Sequence, residues 1–597
     1  MIVPMYKYAF LVYHRDFEEF LVKLQELGMV DIVRQTRQFA DSERSLISQV
    51  TKLTNVAREL KMRAAVESTG ETLDSNAVIA EFDSLLKEKE QVENAIRKAQ
   101  KELNDVRPWG QFDISLIKSL SDSGLRIRFF NIGEKSFNDA WLEEYPIEVI
   151  HREAGQVFFV CIQKTDIEIP HEAVELKAPS FSFTEKDAEI VKFKSRLSSI
   201  ESRLNQLAEF VDQLEKEKVD LINQLEFSAV KQSAEKQANE TLMVLQGWVP
   251  EPKNDLFLEF IEKESLIYMS EKAKRTDDAP ILLKNNKFSK LFEPIGSLFT
   301  SPTYGELDLT PLFAPFFMMF FGFCLGDAGY GLVLLVGASL YKLKAKKEFR
   351  PILSLVQFFS ISTVLFGVLT GTLFGVALVD LQVPFLDSYR EHFLDTKQLF
   401  ALALIIGFLQ IIFGMFVKAA NQIKQFGWMY SISTFGWILL IVGSLAFYGL
   451  SKWNAVSVEL FGIGHKILLG VAGIGIFFFN SPRKNPFINF GLGLWDSYNM
   501  ITGMFGDVLS YIRLFALGLS SSILGNVFNS LAFGMAPDIP VVGAIVTIII
   551  LVAGHSINLF MGALGALVHP MRLTFVEFYK NAGFTGGGKM YQPFQKQ

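Results

Sequence analysis

Two kinds of hydrophobic pattern divide the chain. Up to about residue 275, apolar positions are spaced through stretches rich in Glu, Lys, Gln and Asp; beyond about residue 310 they merge into long blocks of Phe, Leu, Ile, Gly and Val. MYKYAFLVYHRDFEEFLVKLQELGMVDIV reads strand, helix, strand, with Phe, Leu and Val at helical spacing across FEEFLVKLQEL. Leu46, Val50, Leu53, Ala57 and Leu60 then alternate steps of four and three, the seam of a coiled coil. A Gly- and Ser-bearing break near residues 68–76 ends that run. Leu85, Val92, Ala99 and Val106 follow one heptad apart, with Ile96 and Leu103 as the alternate seam, and Pro108 stops them. RIRFFNI and QVFFVCIQ are β-rich and flank a helix-like SFNDAWLEEY. Ile190, Phe193, Leu197, Ile200, Leu204, Leu207, Val211, Leu214, Leu221 and Leu225 resume the coiled-coil alternation, and TLMVLQGWVPEPKNDLFLEFIEKESLIYMS returns to strand, helix, strand. The expected arm, residues 1–280, has a lobe near the membrane (1–38 with 236–275), coiled-coil rods (40–108 and 183–228) and a distal α/β lobe (110–182); a linker (281–310) follows. An ordinary helical domain with heptad-like helices is the alternative to rods.

Residues 311–597 read as a polytopic α-helical membrane domain. PLFAPFFMMFFGFCLGDAGYGLVLLVGASLY (311–341) is long for one span, and charge decides between one span and two. As one span it would carry the basic KLKAKKEFR away from the arm's side, which the positive-inside rule disfavours. A turn at GDAGYG, where Gly326, Gly329 and Gly331 surround Asp327, brings it back. Spans over 353–379, 398–419, 428–450 and 461–480 follow, with the acidic VDLQVPFLDSYREHFLD outside and KAANQIK and SPRKN inside. Two long stretches, 490–534 and 540–579, complete about eight helices in the cell membrane, with the N-terminal half and the C-terminus cytoplasmic.

Composition adds exclusions. A chain of 597 residues exceeds one ordinary domain, and being half hydrophobic yet one-fifth charged is consistent only because the two classes are segregated. The net charge of −6 does not suggest nucleic-acid binding. Cys161 and Cys324 lie one in each half, which argues against a disulfide framework or a Cys-ligated metal site. MIVPMYKYAF carries no cleavable signal pattern. The first half shows no convergent His, Cys or carboxylate constellation for hydrolysis. Gly583 to Lys589 matches the GxxxxGK spacing of a phosphate-binding loop, but Met590 stands where magnesium needs Ser or Thr, and a membrane helix precedes it. No catalytic nucleotide site, cofactor or metal is expected.

Two arginines interrupt the last apolar stretches: Arg513 in GDVLSYIRLFALGL and Arg572 in VHPMRLTFVEF. Such a charge costs about 2.5–3.5 kcal/mol or more at mid-bilayer. At helical spacing Asp496, Asn499, Gly503, Gly506, Ser510, Arg513 and Ser520 share one face, as do His555, Asn558, Gly562, Gly565, His569 and Arg572. A polar stripe broken by glycines suits either a hydrated path or close approach of another helix. The blander readings are an ion pair of Arg513 with Asp496 or another span, and a helix-end role for Arg572. Asp327 reads as a turn residue, with an ion-path carboxylate as alternative; Lys418 reads as snorkelling, and Glu577 as solvated or Arg-paired.

These residues carry a resemblance. VPMYKYAF, GWVP (247–250), FFGFCLGDAGYGL (320–332), GDVLSYIRLFALGL (506–519), HSINLFMGALGALVHPMRLTFVEFY (555–579) and GGGKMYQPF resemble the membrane stator subunit (subunit I, or a) of V/A-type rotary ATPases, over essentially the whole chain. The resemblance implies lobes joined by coiled-coil rods, about eight membrane helices, and ATP chemistry on other subunits. The implied partners are a rotating proteolipid c-ring, peripheral stalk subunits, the central-stalk subunit on the membrane side and the lipid bilayer. Arg513 and Arg572 match the family's two essential arginines, which couple H⁺ or Na⁺ translocation to ATP hydrolysis or synthesis. Asp496 stands where the family usually has Glu, Gly562 where vacuolar relatives carry glutamate, and Asp308-Leu-Thr-Pro311 where the family has DPTP. The candidate half-channel residues are Asp496, Asn499, Ser510, His555, Asn558, His569 and Glu577. One rival is a secondary transporter with a cytoplasmic coiled-coil regulatory domain, which predicts an internal repeat that the spans do not show. The other is a membrane-anchored scaffold, which leaves both arginines unexplained.

Overall fold

Along Met5–Tyr13 burial alternates from Tyr8 onward, with Tyr8, Phe10 and Val12 on one face that needs cover, while buried Met5 packs on the other face with Trp248 and Ala279. Helix Phe17–Leu27 provides apolar cover through Phe17, Phe20, Leu21 and Leu24, and Gly28 ends it in the left-handed region. The strand pairs antiparallel with Leu242–Pro250 along its whole length and with Ile267–Lys272 on its other edge. Asp31–Ile32 and Glu235–Gln237 also pair with Leu242–Pro250. The computed structural model describes residues 1–34, 41–63, 72–164, 173–238, 241–377, 395–452, 458–481, 484–535 and 539–596. Among the described residues the fold is mostly helical (68%) with some β-sheet. It divides into two units, Met1–Val33 with Ala234–Phe594, and Arg34–Ser233 with Gln595–Gln597.

In the second unit, helix Asp41–Lys61 packs on Val211–Ser233, and Ser75–Val106 packs on Phe183–Gln206. Leu53, Ala57, Leu60, Val92, Ile96, Ile200, Leu204, Leu207 and Leu214, all read from the sequence as seam positions, join one buried cluster. Arg203 to Glu81 and Lys186 to Glu102 cross between the longer pair in antiparallel order. The run from Ile190 to Leu225 is not one helix: a 3₁₀ turn at Leu207–Phe210 breaks it, and its two halves take different partners. The turn keeps Leu207 and Phe210 buried where the partner changes. RIRFFNI and QVFFVCIQ are neighbouring antiparallel strands in a four-stranded sheet, but SFNDAWLEEY shrinks to the single turn Trp141–Glu144. The expected break near residues 68–76 lies outside the described residues as far as residue 71.

The apolar half of the first unit contains α1 (Thr310–Leu325), α2 (Ala328–Lys344), α3 (Arg350–Thr370), α4 (Thr396–Phe426), α5 (Ile432–Lys452), α6 (Val458–Phe478), α7 (Pro486–Gly534) and α8 (Pro540–Arg572). Among the described residues five segments are long and apolar enough to cross a membrane: α3, α4, Trp428–Gly449, α7 and Val541–Asn581. Thr310–Leu325 and Gly462–Phe478 are shorter apolar helices.

The chain turns back after α1. Gly326 caps α1 at φ 52°, and Asp327 caps α2 by accepting from the Gly329 and Tyr330 N–H groups. Ring contacts Phe317–Phe359 and Phe323–Phe366 set α3 alongside α1 in the same direction. Lys342 at the end of α2 meets Gln357 near the start of α3, so α2 runs opposite to both. Lys342, Lys344 and Arg350 therefore lie at the end where α1 begins. The span read as 353–379 stops earlier: α3 ends at Gly371, and Thr372–Leu373 pairs with Val376–Ala377 as a small hairpin. Gly375 at its tip packs so close to Gly525 of α7 that a Cβ would fall 2.4 Å from that backbone. The acidic outer loop lies outside the described residues apart from Asp395, which caps α4 with a capping box.

Candidate functional site

α7 and α8 are antiparallel partners, because polar contacts pair the end of one with the beginning of the other. Beyond Arg572, α8 continues as a π-helical turn, Leu573–Phe578, and then Tyr579–Asn581. Such a wide turn alters which face the following side chains present. Leu573, Thr574, Glu577 and Phe578 are buried there, while Arg572 is exposed.

The end of these helices nearest the sheet holds one polar cluster. Asp507, 6% exposed, accepts from Asn581 Nδ2 at 2.7 Å and lies 3.6 Å from Lys580 Nζ. One turn on, Ser510 faces the Glu577 carboxylate, which is only 2% exposed. Tyr511 donates to Gln410 of α4 at 2.7 Å. Arg513 and Arg572 both lie close enough to His569 to act on it electrostatically. Four buried polar atoms in this neighbourhood have no hydrogen-bond partner among the described residues: Gln410 Nε2, Arg513 Nη1, Thr574 Oγ1 and Glu577 Oε2. Buried polar atoms are seldom left so, and several together mark space that water or a visiting group fills.

About 16 Å further along α7, by the rise from residue 510 to residue 521, lies a second cluster. Asn558 donates to the Tyr330 hydroxyl at 2.8 Å and to the Ser521 carbonyl at 2.9 Å. Tyr330 meets His555 Nδ1 at 2.7 Å, and His555 Nε2 meets Asn529 Oδ1 at 3.0 Å. Asn529 then donates to the Phe374 carbonyl at 2.8 Å. Asp327, fully buried, anchors this region by accepting from four backbone N–H groups: Gly329, Tyr330, Phe374 and Gly375. Here only the Ser521 hydroxyl is left over among the described residues.

Of the residues singled out in the sequence, the structure sets Arg513 and Arg572 within electrostatic reach of His569, brings Ser510 to Glu577, and links His555 to Asn558 through Tyr330. Asp496 and Asn499 join neither cluster; both are exposed, and Asp496 accepts from Asn480. An Asp496–Arg513 ion pair is excluded, because one continuous helix sets them about 25 Å apart. Lys418 of α4 lies within electrostatic reach of Asp496. Sequence spacing missed Asp507, Gln410, Tyr511, Tyr330 and Asn529. Asp507 sits in the same GDVLSYIR block as Arg513 but off the stripe chosen there. Gln410 and Tyr330 belong to other helices, and only packing shows their contact.

Arg513 also stands beside an apolar surface. Phe505, Leu509, Ile523 and Val527 of α7 are exposed, as are Ile557, Phe560, Leu564 and Val568 of α8. At about 100° per residue Arg513 falls at the edge of the α7 stripe.

No family model matches the chain. Named relatives do. V-type ATP synthase subunit I of Borreliella burgdorferi is 27% identical over 624 residues, all of both chains. A-type ATP synthase subunit I of Methanocaldococcus jannaschii is 30% identical over 449 residues, which cover 68% of this chain and 63% of that one. V-type ATP synthase subunit I 1 of Treponema pallidum is 24% identical over 638 residues, again all of both chains.

Proposed function

Proceeding from its similarity, end to end, to subunit I of V-type and A-type ATP synthases, we propose that this chain is the membrane stator of a rotary ATPase. It forms two ion half-channels against a rotating proteolipid ring and couples H⁺ or Na⁺ movement to ATP chemistry on other subunits. In this reading residues 311–597 cross the cell membrane about eight times, with the arm and the C-terminus cytoplasmic. The arm, coiled-coil rods included, holds the membrane domain through peripheral stalks and meets the central-stalk subunit on the membrane side.

The observation that carries the reading is Arg513, with a buried guanidinium nitrogen that has no partner among the described residues, at the edge of an exposed apolar stripe. Each ring subunit presents one carboxylate, neutral when loaded and so able to face lipid. Beside Arg513 its charged form is favoured, since an opposite charge within about 4–6 Å lowers such a pKa by about 1–3 units. The released ion leaves through the cluster of Asp507, Ser510, Glu577 and Thr574, whose unpartnered atoms leave room for water. Arg572 and His569 flank that route. The fixed charge of Arg513 also bars direct leakage between the half-channels. Asn529, His555 and Asn558 form the polar wall of the other half-channel, their side chains bonded to each other or to Tyr330. Asp496 and Asn499 lie at the cytoplasmic mouth.

Arg513→Ala tests this in the reconstituted complex. The complex assembles and ATP-driven ion pumping disappears; normal pumping by that variant overturns the reading. The secondary-transporter alternative gains no support from any observation above.

A further inference from the structure

The closing stretch with phosphate-loop spacing forms a strap. Thr585 and Gly586 donate their N–H groups to the Glu306 carboxylate at 2.7 and 3.3 Å, and the Thr585 hydroxyl binds the same group. Glu306 is fully buried in the linker ahead of α1 and also accepts from the Thr303 N–H at 2.9 Å. Its own carbonyl accepts from Lys424 Nζ of α4 at 2.7 Å. Asn421, one turn earlier on α4, donates to the Gly583 carbonyl and accepts from the Leu307 N–H. The Glu306 carboxylate thus ties the chain after α8 to the linker before α1, while the Glu306 carbonyl and Asn421 add the end of α4 to the same knot.

Past this knot the strap crosses to the sheet. Ile281 donates its N–H to the Lys589 carbonyl at 2.8 Å and accepts from the Tyr591 N–H at 3.0 Å, and Phe594 donates to the Val30 carbonyl at 2.8 Å. Gly588 presses against the linker so tightly that a Cβ would fall 1.9 Å from the Pro302 carbonyl oxygen. Gly588 serves close backbone contact, and Lys589 reaches Asp278 at 3.5 Å, so the stretch is already occupied as a tether.

We propose that Glu306 is a positioning residue for ion translocation: through the strap it fixes the depth and rotation of the segment carrying Arg572 and Glu577 against the sideways load of the turning ring. The inference rests on the stator reading above. The segment ends only a few residues before the knot, and charge-assisted bonds to a buried carboxylate are the strong, directional kind. Small misplacements of charged groups are costly in rate.

The test measures pumping and ATP hydrolysis together in the reconstituted complex. In Glu306→Ala and Gly588→Ala the pumping-to-hydrolysis ratio falls about tenfold, while hydrolysis stays within about twofold. Glu306→Gln, which keeps one acceptor oxygen, restores part of the ratio. Unchanged ratios in Glu306→Ala and Gly588→Ala overturn the proposal. Thr585→Val removes one hydroxyl and no charge, so it reads the strap in an intact assembly; its ratio falls about twofold, and an unchanged ratio overturns the proposal. Arg513→Ala separates the two claims. Normal pumping there overturns the stator reading, whereas lost pumping there with unchanged strap ratios overturns only the role of Glu306.

Discussion

On the half of α7 and α8 far from the sheet, Tyr330, Asn529, His555 and Asn558 hand hydrogen bonds from one to the next, and Asp327 fills its carboxylate with backbone N–H groups. On the near half, Glu577, Thr574, Gln410 and Arg513 each leave a buried atom without a partner among the described residues. The same two helices therefore border one nearly saturated cluster, with the Ser521 hydroxyl its one leftover group, and one cluster with four such atoms among the described residues. Saturated buried networks fix a single geometry, while unsaturated ones stay in place only where water or a passing charge completes them. The contrast assigns a fixed wall to the far half-channel and groups that exchange partners to the near one.

The strongest way to break this contrast is Asp327→Ala. It strips the fully buried carboxylate from four backbone N–H groups, two at the start of α2 and two in the small hairpin. At about 1–3 kcal/mol for each unpaired group, the expected loss is about 4 kcal/mol or more, seen as failure to recover assembled complex. Glu577→Gln and Asp507→Asn act in the opposite manner. The complex forms normally and pumping slows about tenfold, as expected when a group that passes protons is removed. Equal pumping by these variants and the unaltered protein would erase the distinction between the clusters.

A gentler change sharpens it. Tyr330→Phe removes the hydroxyl shared by His555 and Asn558, leaves pumping within about twofold, and lowers thermal stability by about 1–2 kcal/mol. The smallest effect lies outside the membrane. Burial, with Tyr268, Tyr6 and Asp255 adding to it, pushes the Tyr8 hydroxyl from 10.0 up to about 12. A raised folded value means that this contribution is complete below the unfolded pKa near 10 and is lost as pH climbs towards 12. Tyr8→Phe flattens that alkaline loss, readable as thermal unfolding of the detergent-solubilised protein at stepped pH.

Periodicity made the strands Met5–Tyr13 and Leu242–Pro250 readable, along with the buried seam residues of the four helices in the second unit, because each rests on local spacing. Charge beside glycine pointed to the turn at Gly326 and Asp327. What spacing could not supply was distance. Asp496 shares a face with Arg513 yet lies about 25 Å away, since a helical stripe gives direction around the axis and not length along it. The Tyr330–His555 contact joins residues 225 positions apart, and no local pattern announces it. The terminal glycines were legible only as a phosphate-loop spacing without its Ser or Thr; the close approach of Gly588 to the linker emerged only from the fold.

The contrast is tested most directly by the water in a high-resolution map of the assembled complex. Ordered water is predicted within hydrogen-bonding distance of Glu577 Oε2, Thr574 Oγ1 and Gln410 Nε2, with none inserted between Tyr330, His555 and Asn558. A dry cluster around Glu577, or a file of water threading between Tyr330 and His555, would contradict the account.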